Sequence, residues 1–160
     1  MSVARMISLT VNGETLEATV EPRKLLADVL REDFGLTGTH VGCEHGVCGA
    51  CTVLIDDQPA RACLTYAIQM EGHEITTIEA VGGTDLSPLQ RALHEEHGLQ
   101  CGFCTPGIIM TFEAFLRDTP DPSEDDVRDV LSGNLCRCTG YQNIVAAVLK
   151  AARTIREERP

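Results

Sequence analysis

The sequence predicts an α+β protein whose strands are concentrated in the first half of the chain and whose helices are concentrated in the second. Apolar and polar residues alternate in the first half, which is typical of strands, whereas apolar residues recur at helical spacing in the second half. A glycine pair, Gly82-Gly83, lies where the pattern changes and indicates a linker. The predicted organisation is a first domain of residues 1–79, a linker of residues 80–87 and a second domain of residues 88–160.

The first domain is predicted to begin with a β-hairpin. Apolar and polar residues alternate over residues 7–11 and again over residues 16–20, and the intervening Asn12-Gly13 is a strong turn signal. A short helix is predicted over residues 24–31, where leucine and valine recur at helical spacing. Two more strands are predicted, at Thr52–Ile55, ending in a turn at Asp56-Asp57, and at residues 75–78.

The second domain is predicted to contain four helices. Ser87, Pro88 and Gln90 combine an N-cap, a proline at the first helical position and a capping box, and they start a helix that extends to about residue 97. The other three helices are predicted to start at Thr105, at Ser123 with an end at Gly133, and at about Tyr141. Four helices of this length are expected to form a small bundle.

The eight cysteines fall into two sets of four. The first set has the spacing C-x4-C-x2-C with a fourth cysteine further along, which is the spacing that binds a plant-type [2Fe–2S] cluster. The second set is a C-x2-C pair and a later C-x-C pair, in loops that are expected to meet at one end of the helices. One chain with two one-electron centres indicates electron transfer. The sets are Cys43, Cys48, Cys51 and Cys63, and Cys101, Cys104, Cys136 and Cys138.

Two other uses of cysteine, disulfide formation and zinc binding, are alternatives to iron. An even cysteine count permits a disulfide framework, but the N-terminus lacks the apolar region of a secretory signal, so a cytoplasmic protein with reduced thiols is expected. Zinc also binds thiolates, although three thiolates on one loop are unusual for a zinc knuckle. The glycines around the first set allow backbone N–H groups to approach cluster sulfurs. His45 lies in this loop and is expected to be a surface residue beside the cluster, since four thiolates complete the ligand set.

Composition and charge exclude several classes of function. The formal net charge is −11, so nucleic acid is not an expected partner. Aromatic residues make up 4% of the chain and tryptophan is absent, which disfavours an aromatic-lined substrate pocket. No stretch approaches the roughly 18 apolar residues of a transmembrane segment. These features favour a small redox protein over a self-contained enzyme.

Three motifs resemble the iron–sulfur part of the molybdenum hydroxylases, the xanthine oxidase and aerobic carbon monoxide dehydrogenase family. The resemblance covers the chain from about residue 7 to residue 153, and all eight cysteine positions match. It implies a β-grasp, plant-type ferredoxin-like domain followed by a four-helix bundle that binds a [2Fe–2S] cluster. The motifs are GCEHGVCGACTV from Gly42, GLQCGFCTPG from Gly98 and GNLCRCTGY from Gly133.

The resemblance also implies partners and roles. Electrons would pass from a molybdenum–pterin centre in a large subunit to the cluster held by the second cysteine set, then to the cluster held by the first set, and then to FAD in a medium subunit. Gln100 and Cys138 would contact the pterin cofactor. The complex would be a dimer of heterotrimers, and this chain would be its electron-transfer subunit with no catalytic residues of its own.

The chain has no glycine-rich nucleotide fingerprint for FAD and no recognisable substrate pocket, so the chemistry is expected to belong to a partner subunit. Carbon monoxide, purines, N-heteroaromatics, aldehydes and aromatic thioesters are all substrates of complexes with these motifs. The alternative is a free-standing two-cluster ferredoxin that carries electrons between unrelated enzymes.

Overall fold

The computed structural model describes residues 3–158, so the outermost ends of the two predicted domains, residues 1–2 and 159–160, lie outside the described residues. The predicted α+β class is confirmed. Five strands form one mixed sheet in the order β2-β1-β5-β3-β4, in which only the β1–β5 pair is parallel among the described strands. The strands are β1 Arg5–Val11, β2 Glu14–Val20, β3 Thr52–Ile55, β4 Gln58–Arg61 and β5 Glu74–Thr76.

The hairpin of β1 and β2 forms where the alternation predicts it. Asn12 and Gly13 both have positive φ, 54° and 79°, which is the backbone that a two-residue hairpin turn requires. The turn fixes a register in which Leu9 lies opposite Leu16. Inward-facing residues of β1, among them Leu9 and Val11, are almost completely buried, and Val11 pairs with Ile75 of β5.

Three elements of the first half differ from the prediction. The helix expected over residues 24–31 is a short α-helix, Leu26–Asp28 (α1), that continues as a π-helical turn, Val29–Asp33. Strand β4 was not predicted. The strand expected over residues 75–78 ends at Thr76, because the side-chain oxygen of Asn12 accepts the N–H of Thr77 at 2.8 Å and takes it out of the ladder.

The second half is helical, and two of its helices start at the capping residues that the sequence predicts. Ser87 and Ser123 each accept the backbone N–H three residues later, and each completes a capping box. The helices pack through a shared apolar core that includes Leu93, Phe112 and Val148. Their bounds are α2 Pro88–Glu95, α3 Thr105–Asp118, α4 Glu124–Leu131 and α5 Gln142–Glu158.

The sheet has its own apolar core, to which the thiol-bearing residues Cys51 and Cys63 belong. A third, smaller apolar cluster joins the two halves, because Leu54 of β3 packs against Met110 and Ala114 of α3. Within residues 3–158, no helix has the length and apolar character needed to cross a membrane.

Glu113 of α3 lies beside this junction and gives a prediction about pH. Burial raises the pKa of its carboxyl group, and the Ser87 hydroxyl donates to it at 3.1 Å. Because the folded pKa is raised, the folded state binds the proton more tightly than the unfolded chain. The resulting stabilisation is complete below the ordinary glutamate pKa and is lost as the pH rises through the folded value.

The Glu113→Gln variant is therefore expected to gain free energy of unfolding relative to the wild type as the pH rises above the ordinary glutamate pKa, until it has passed the raised pKa of Glu113 in the folded state. Glutamine retains an oxygen that accepts from Ser87 but is never charged. Urea unfolding at several pH values measures the difference, with the exposed Glu157→Gln as a control that should show no such trend. If the free energies of unfolding of the variant and the wild type differed by the same amount at every pH, ionisation of Glu113 would not destabilise the folded state.

Candidate metal centres

The first cysteine set lies at the edge of the sheet. Residues 41–51 form a loop without regular structure that leads into β3, and Cys63 lies in a short helical turn after β4. The thiols are grouped in two pairs, because the backbone N–H of Cys48 faces the Cys43 sulfur and that of Cys63 faces the Cys51 sulfur. Cys51 and Cys63 are buried, and Cys43 and Cys48 are half-buried.

Backbone N–H groups face the sulfur atoms of this set. The Cys48 N–H donates to the Cys43 sulfur at 3.4 Å, which lowers the pKa of Cys43 to about 6. The Cys63 N–H donates to the Cys51 sulfur at 3.5 Å. Burial raises the pKa of Cys63 to about 11. N–H groups aimed at sulfur stabilise negative charge there, as an anionic metal–thiolate centre requires.

The second cysteine set lies where two interhelical loops meet. Cys101 and Cys138 are exposed and their sulfur atoms are 3.4 Å apart. Cys104 and Cys136 are half-buried and form the inner pair of this set. Burial raises the pKa of Cys104 to about 12. Cys104 is also the N-cap residue of α3, so the positive end of that helix points at this pair.

Tyr141 and Thr139 close the loop that contains Cys136 and Cys138. The Tyr141 hydroxyl accepts the Cys136 N–H at 2.9 Å, and the Thr139 hydroxyl lies 3.2 Å from the Cys136 sulfur. Tyr141 has a φ of 71°, an uncommon value for a large side chain, and it immediately precedes α5. The loop is therefore held in one shape by its own side chains.

Each cysteine set presents four thiols, which is the donor set of a two-iron cluster. Within residues 3–158, no group of three or more His, Cys, Asp or Glu side chains is arranged to hold a metal ion. Four thiolates bind a [2Fe–2S] cluster, whereas a structural zinc ion takes four ligands around one point. The donor chemistry and the N–H groups around the sulfurs therefore fit iron and sulfide.

The two cysteine sets are directly connected. The Leu135 N–H donates to the Cys48 carbonyl oxygen at 2.8 Å, and Leu135 precedes Cys136 in the chain. One hydrogen bond thus joins the backbone of a first-set cysteine to the neighbour of a second-set cysteine.

Phe103 makes a second contact between the sets. Its ring stacks on His40, with centroids 4.8 Å apart, and His40 Nδ1 is 2.7 Å from the Phe103 carbonyl oxygen. The ring also covers Gly42, where an added Cβ would lie 3.4 Å from it. Since Phe103 lies between Cys101 and Cys104, the loop of the second set packs against that of the first.

A close backbone contact fixes the first cysteine loop against the helical half. A Cβ on Gly107, in the first turn of α3, would lie 2.2 Å from the Gly49 carbonyl oxygen. Gly49 itself has a φ of 73°, and a Cβ there would lie 2.5 Å from the side-chain nitrogen of Asn134. Only glycine permits this approach at both positions.

The remaining predicted site residues are at the surface. Gln100 is exposed in the loop just before Cys101. His45 is exposed, and its Nδ1 is hydrogen-bonded to the Cys43 carbonyl oxygen. The structure adds residues that the sequence interpretation missed. They are His40, Arg61, Asn134, Leu135 and Thr139, of which Asn134, Leu135 and Thr139 lie inside the GNLCRCTGY motif.

Comparison with known families gives two matches. The family described as "2Fe-2S iron-sulfur cluster binding domain" matches residues 9–68, and the family described as "[2Fe-2S] binding domain" matches residues 77–149. Each match contains one complete cysteine set.

Two relatives of known name match over most of their length. The chain is 55% identical over 157 residues to the caffeine dehydrogenase subunit gamma of Pseudomonas sp. (strain CBB1), covering 94% of this chain and 93% of that protein. It is 52% identical over 145 residues to the nicotine 6-hydroxylase small subunit of Paenarthrobacter nicotinovorans, covering 91% and 88%.

Solved structures share the whole fold. A chain of quinoline 2-oxidoreductase from Pseudomonas putida 86 superimposes with a TM-score of 0.93 at 50% identity, covering 99% of this chain and 100% of that one. The aldehyde oxidoreductase of Desulfovibrio gigas gives a TM-score of 0.89 at 46% identity, covering 98% of this chain and 18% of that longer one. The described fold thus occurs both as a separate chain and as part of a longer polypeptide.

Proposed function

The chain belongs to the family of small [2Fe–2S] iron–sulfur subunits of the molybdenum hydroxylases, and we propose that it conducts electrons between two cofactors held by partner subunits. It is the non-catalytic iron–sulfur subunit of an oxidoreductase complex. In the proposal, electrons come from a molybdenum–pterin centre in a large subunit and leave to FAD in a medium subunit. The second cysteine set faces the molybdenum side and the first set faces the flavin side.

The observation that carries this proposal is the direct link between the two cysteine sets. A protein that only stored metal would have no need to connect its sites, whereas an electron carrier needs them close together. The Leu135 N–H to Cys48 carbonyl hydrogen bond supplies a bonded route from Cys136 to Cys48 with one hydrogen bond in it. When bound, each [2Fe–2S] cluster accepts and releases one electron.

The ligand assignment is part of the proposal. The contacts of the Cys48 N–H with the Cys43 sulfur and of the Cys63 N–H with the Cys51 sulfur support Cys43, Cys48, Cys51 and Cys63 as the residues that would hold one cluster. In the other set, the 3.4 Å contact between the Cys101 and Cys138 sulfur atoms supports Cys101, Cys104, Cys136 and Cys138 as the residues that would hold the second.

We also propose the finer architecture that the resemblance implies. The mixed sheet with α1 against it supports a β-grasp domain over residues 1–79, and the packing of α2 to α5 supports a four-helix bundle over residues 88–160. Residues 80–87 would be the linker between them. The free state of all eight cysteines supports a cytoplasmic location, where thiols stay reduced.

Gln100 and Cys138 are proposed to contact the pterin. Both lie on the exposed side of the second cysteine set. Gln100 immediately precedes Cys101, and the Cys138 sulfur lies 3.4 Å from the Cys101 sulfur. An amide both donates and accepts hydrogen bonds, as a pterin edge requires.

Gln100→Ala is expected to leave the iron content unchanged but to weaken binding of the large subunit and lower turnover about tenfold, the loss of roughly 1.4 kcal/mol of contact. Subunit affinity and steady-state turnover measure the effect. Gln69→Ala removes an equally exposed amide in the first half and serves as the control. Unchanged affinity and turnover would remove Gln100 from the site.

The substrate is proposed to be chosen by the large subunit. The relatives above are named for caffeine and nicotine, yet this chain is 55% and 52% identical to their small subunits. A subunit that is so similar across different substrates is suited to a common electron-transfer task.

Gentle anaerobic purification of the tagged chain from its host tests the proposal. Co-elution with two larger chains, with iron, flavin and molybdenum at about 4:1:1 since each [2Fe–2S] cluster holds two irons, would support it, and a dimer of heterotrimers is the expected size. Iron without flavin, molybdenum or partners would favour the free-standing two-cluster ferredoxin. Zinc in place of iron would give a colourless protein and overturn both.

A further inference from the structure

A closed ring of hydrogen bonds joins the first cysteine loop to the segment that precedes Cys136. The Asn134 side-chain nitrogen donates to the Gly49 carbonyl oxygen at 3.2 Å, and the Thr52 hydroxyl donates to the same oxygen at 2.6 Å. Arg61 donates to the Thr52 hydroxyl at 2.5 Å and, through its other terminal nitrogen, to the Gly133 carbonyl oxygen at 2.7 Å. Since Gly133 precedes Asn134, the ring is complete.

Burial shows that this ring is a specific feature of the fold. Five polar side chains are buried within residues 3–158, and three of them, Thr52, Thr111 and Asn134, lie here. The Thr111 hydroxyl lies 2.8 Å from the Gly107 carbonyl oxygen and 3.1 Å from the Asn134 side-chain oxygen, so its single hydrogen is shared between these two acceptors. Asn134 is 1% exposed. A buried amide that donates to Gly49 and faces a hydroxyl at its other end is held in place, which is what a positioning group needs.

The ring acts on the link between the two cysteine sets. Leu135 follows Asn134 directly, and its side chain is 53% exposed, so its own packing does little to fix its backbone. The Leu135 N–H nevertheless reaches the Cys48 carbonyl oxygen at 2.8 Å. The ring ties Asn134, which precedes Leu135, to Gly49, which follows Cys48.

We propose that Asn134 and Arg61 are positioning residues for electron transfer between the two clusters, because they hold the Leu135 N–H against the Cys48 carbonyl oxygen. This inference rests on the proposed function. The transfer moves one electron from one cysteine-held centre to the other; no covalent bond forms or breaks and no proton changes place. Neither side chain touches a thiol, so their removal should alter the route and leave the ligands intact.

The test uses the complete, anaerobically purified complex. In Asn134→Ala, hydrogen exchange measured by mass spectrometry should become severalfold faster in the peptide that contains Leu135. The rate of electron transfer between the clusters, followed after a reducing pulse, should fall severalfold, while the iron content stays at the wild-type level. The control is Thr77→Val, which removes another buried, hydrogen-bonded hydroxyl, just after β5 and outside the ring, and should change neither quantity.

A second variant covers the case in which Asn134→Ala does not assemble. Arg61→Met keeps the stem of a half-buried side chain but removes both of its ring contacts, and it should show the same two changes in smaller measure. Unchanged exchange at Leu135 and unchanged electron transfer in a variant that keeps its iron would overturn the inference. A wild-type complex without two iron–sulfur signals would instead overturn the proposed function, so the two failures are distinct.

Discussion

Replacing Gly107 with alanine is expected to destabilise the protein by about 3 kcal/mol or more, a large effect for the addition of one methyl group. The new Cβ would lie 2.2 Å from the Gly49 carbonyl oxygen and 3.0 Å from that of Ala50. Both neighbours are backbone atoms, which cannot swing aside as a flexible side chain can. Alanine favours a helix over glycine by about 1 kcal/mol, so the expected loss runs against the local preference of α3.

The same substitution should disturb the first cysteine set although Gly107 belongs to the helical half. Moving Gly49 away from α3 would also move Cys48 and Cys51, which flank it. The expected readouts are a lower midpoint in urea unfolding and partial loss of iron from the first set. Gly49→Ala should behave alike, since it meets Asn134 and Gly133 at 2.5 Å from the other side.

Gly35→Ala is the control for these two variants. Its φ is 69° but no atom lies within 4 Å of the added Cβ, so its cost is limited to backbone strain of about 1–2 kcal/mol. If Gly107→Ala were no less stable than Gly35→Ala, the close approach of the two backbones would not be an important part of the fold.

The sequence predicts elements whose signals are local, but it does not reveal contacts between distant segments such as the one at Gly107. The hairpin and the four long helices were predictable because their signals are local: a turn dipeptide, two capping boxes and regular apolar spacing. Strand β4, QPAR, was missed because it has no alternation and contains Pro59, whose position at the edge of the sheet only the pairing with β3 explains. The π-helical turn after α1 has no recognised sequence signal.

The features of the candidate site likewise divide into those that the sequence predicts and those that depend on contacts between distant residues. Cysteine spacing predicted two four-thiol sets, but it could not predict which thiols pair, because the partners of Cys101 and Cys104 lie more than thirty residues away on another loop. Asn134 and Arg61 were missed for a similar reason. Each acts on residues that are distant in the chain, Asn134 on Gly49 and Arg61 on Gly133, and single-residue patterns carry no information about such contacts.

Replacing Cys101 with alanine is expected to halve the iron content and to abolish one of the two reduced paramagnetic signals. Four thiolates are needed for each cluster, and Cys101 lies in the exposed outer pair of the second set. Alanine is preferred to serine because a serine oxygen can still bind iron. The first signal should survive, since Cys51 and Cys63 belong to the apolar core of the sheet, to which no cysteine of the second set contributes.

Cys43→Ala is the matched control and should give the converse result, with the first signal lost and the second retained. Iron analysis and low-temperature electron paramagnetic resonance distinguish the two variants. Equal loss of both signals in Cys101→Ala would contradict separate cluster sites and would favour a single cooperative unit, in which the close packing at Gly107 makes each cluster depend on the other.

The pairing of thiols makes a sharper form of this prediction. The Cys101 and Cys138 sulfur atoms lie 3.4 Å apart and would hold the same cluster, so Cys138→Ala should lose the same signal as Cys101→Ala. The double variant should lose no more iron than either single variant, because the cluster is already gone once one of its thiolates is removed. Such non-additivity is expected only of residues that act as one unit. Further iron loss in the double variant would show that Cys138 serves a different site from Cys101, and the proposed ligand sets would then have to be redrawn.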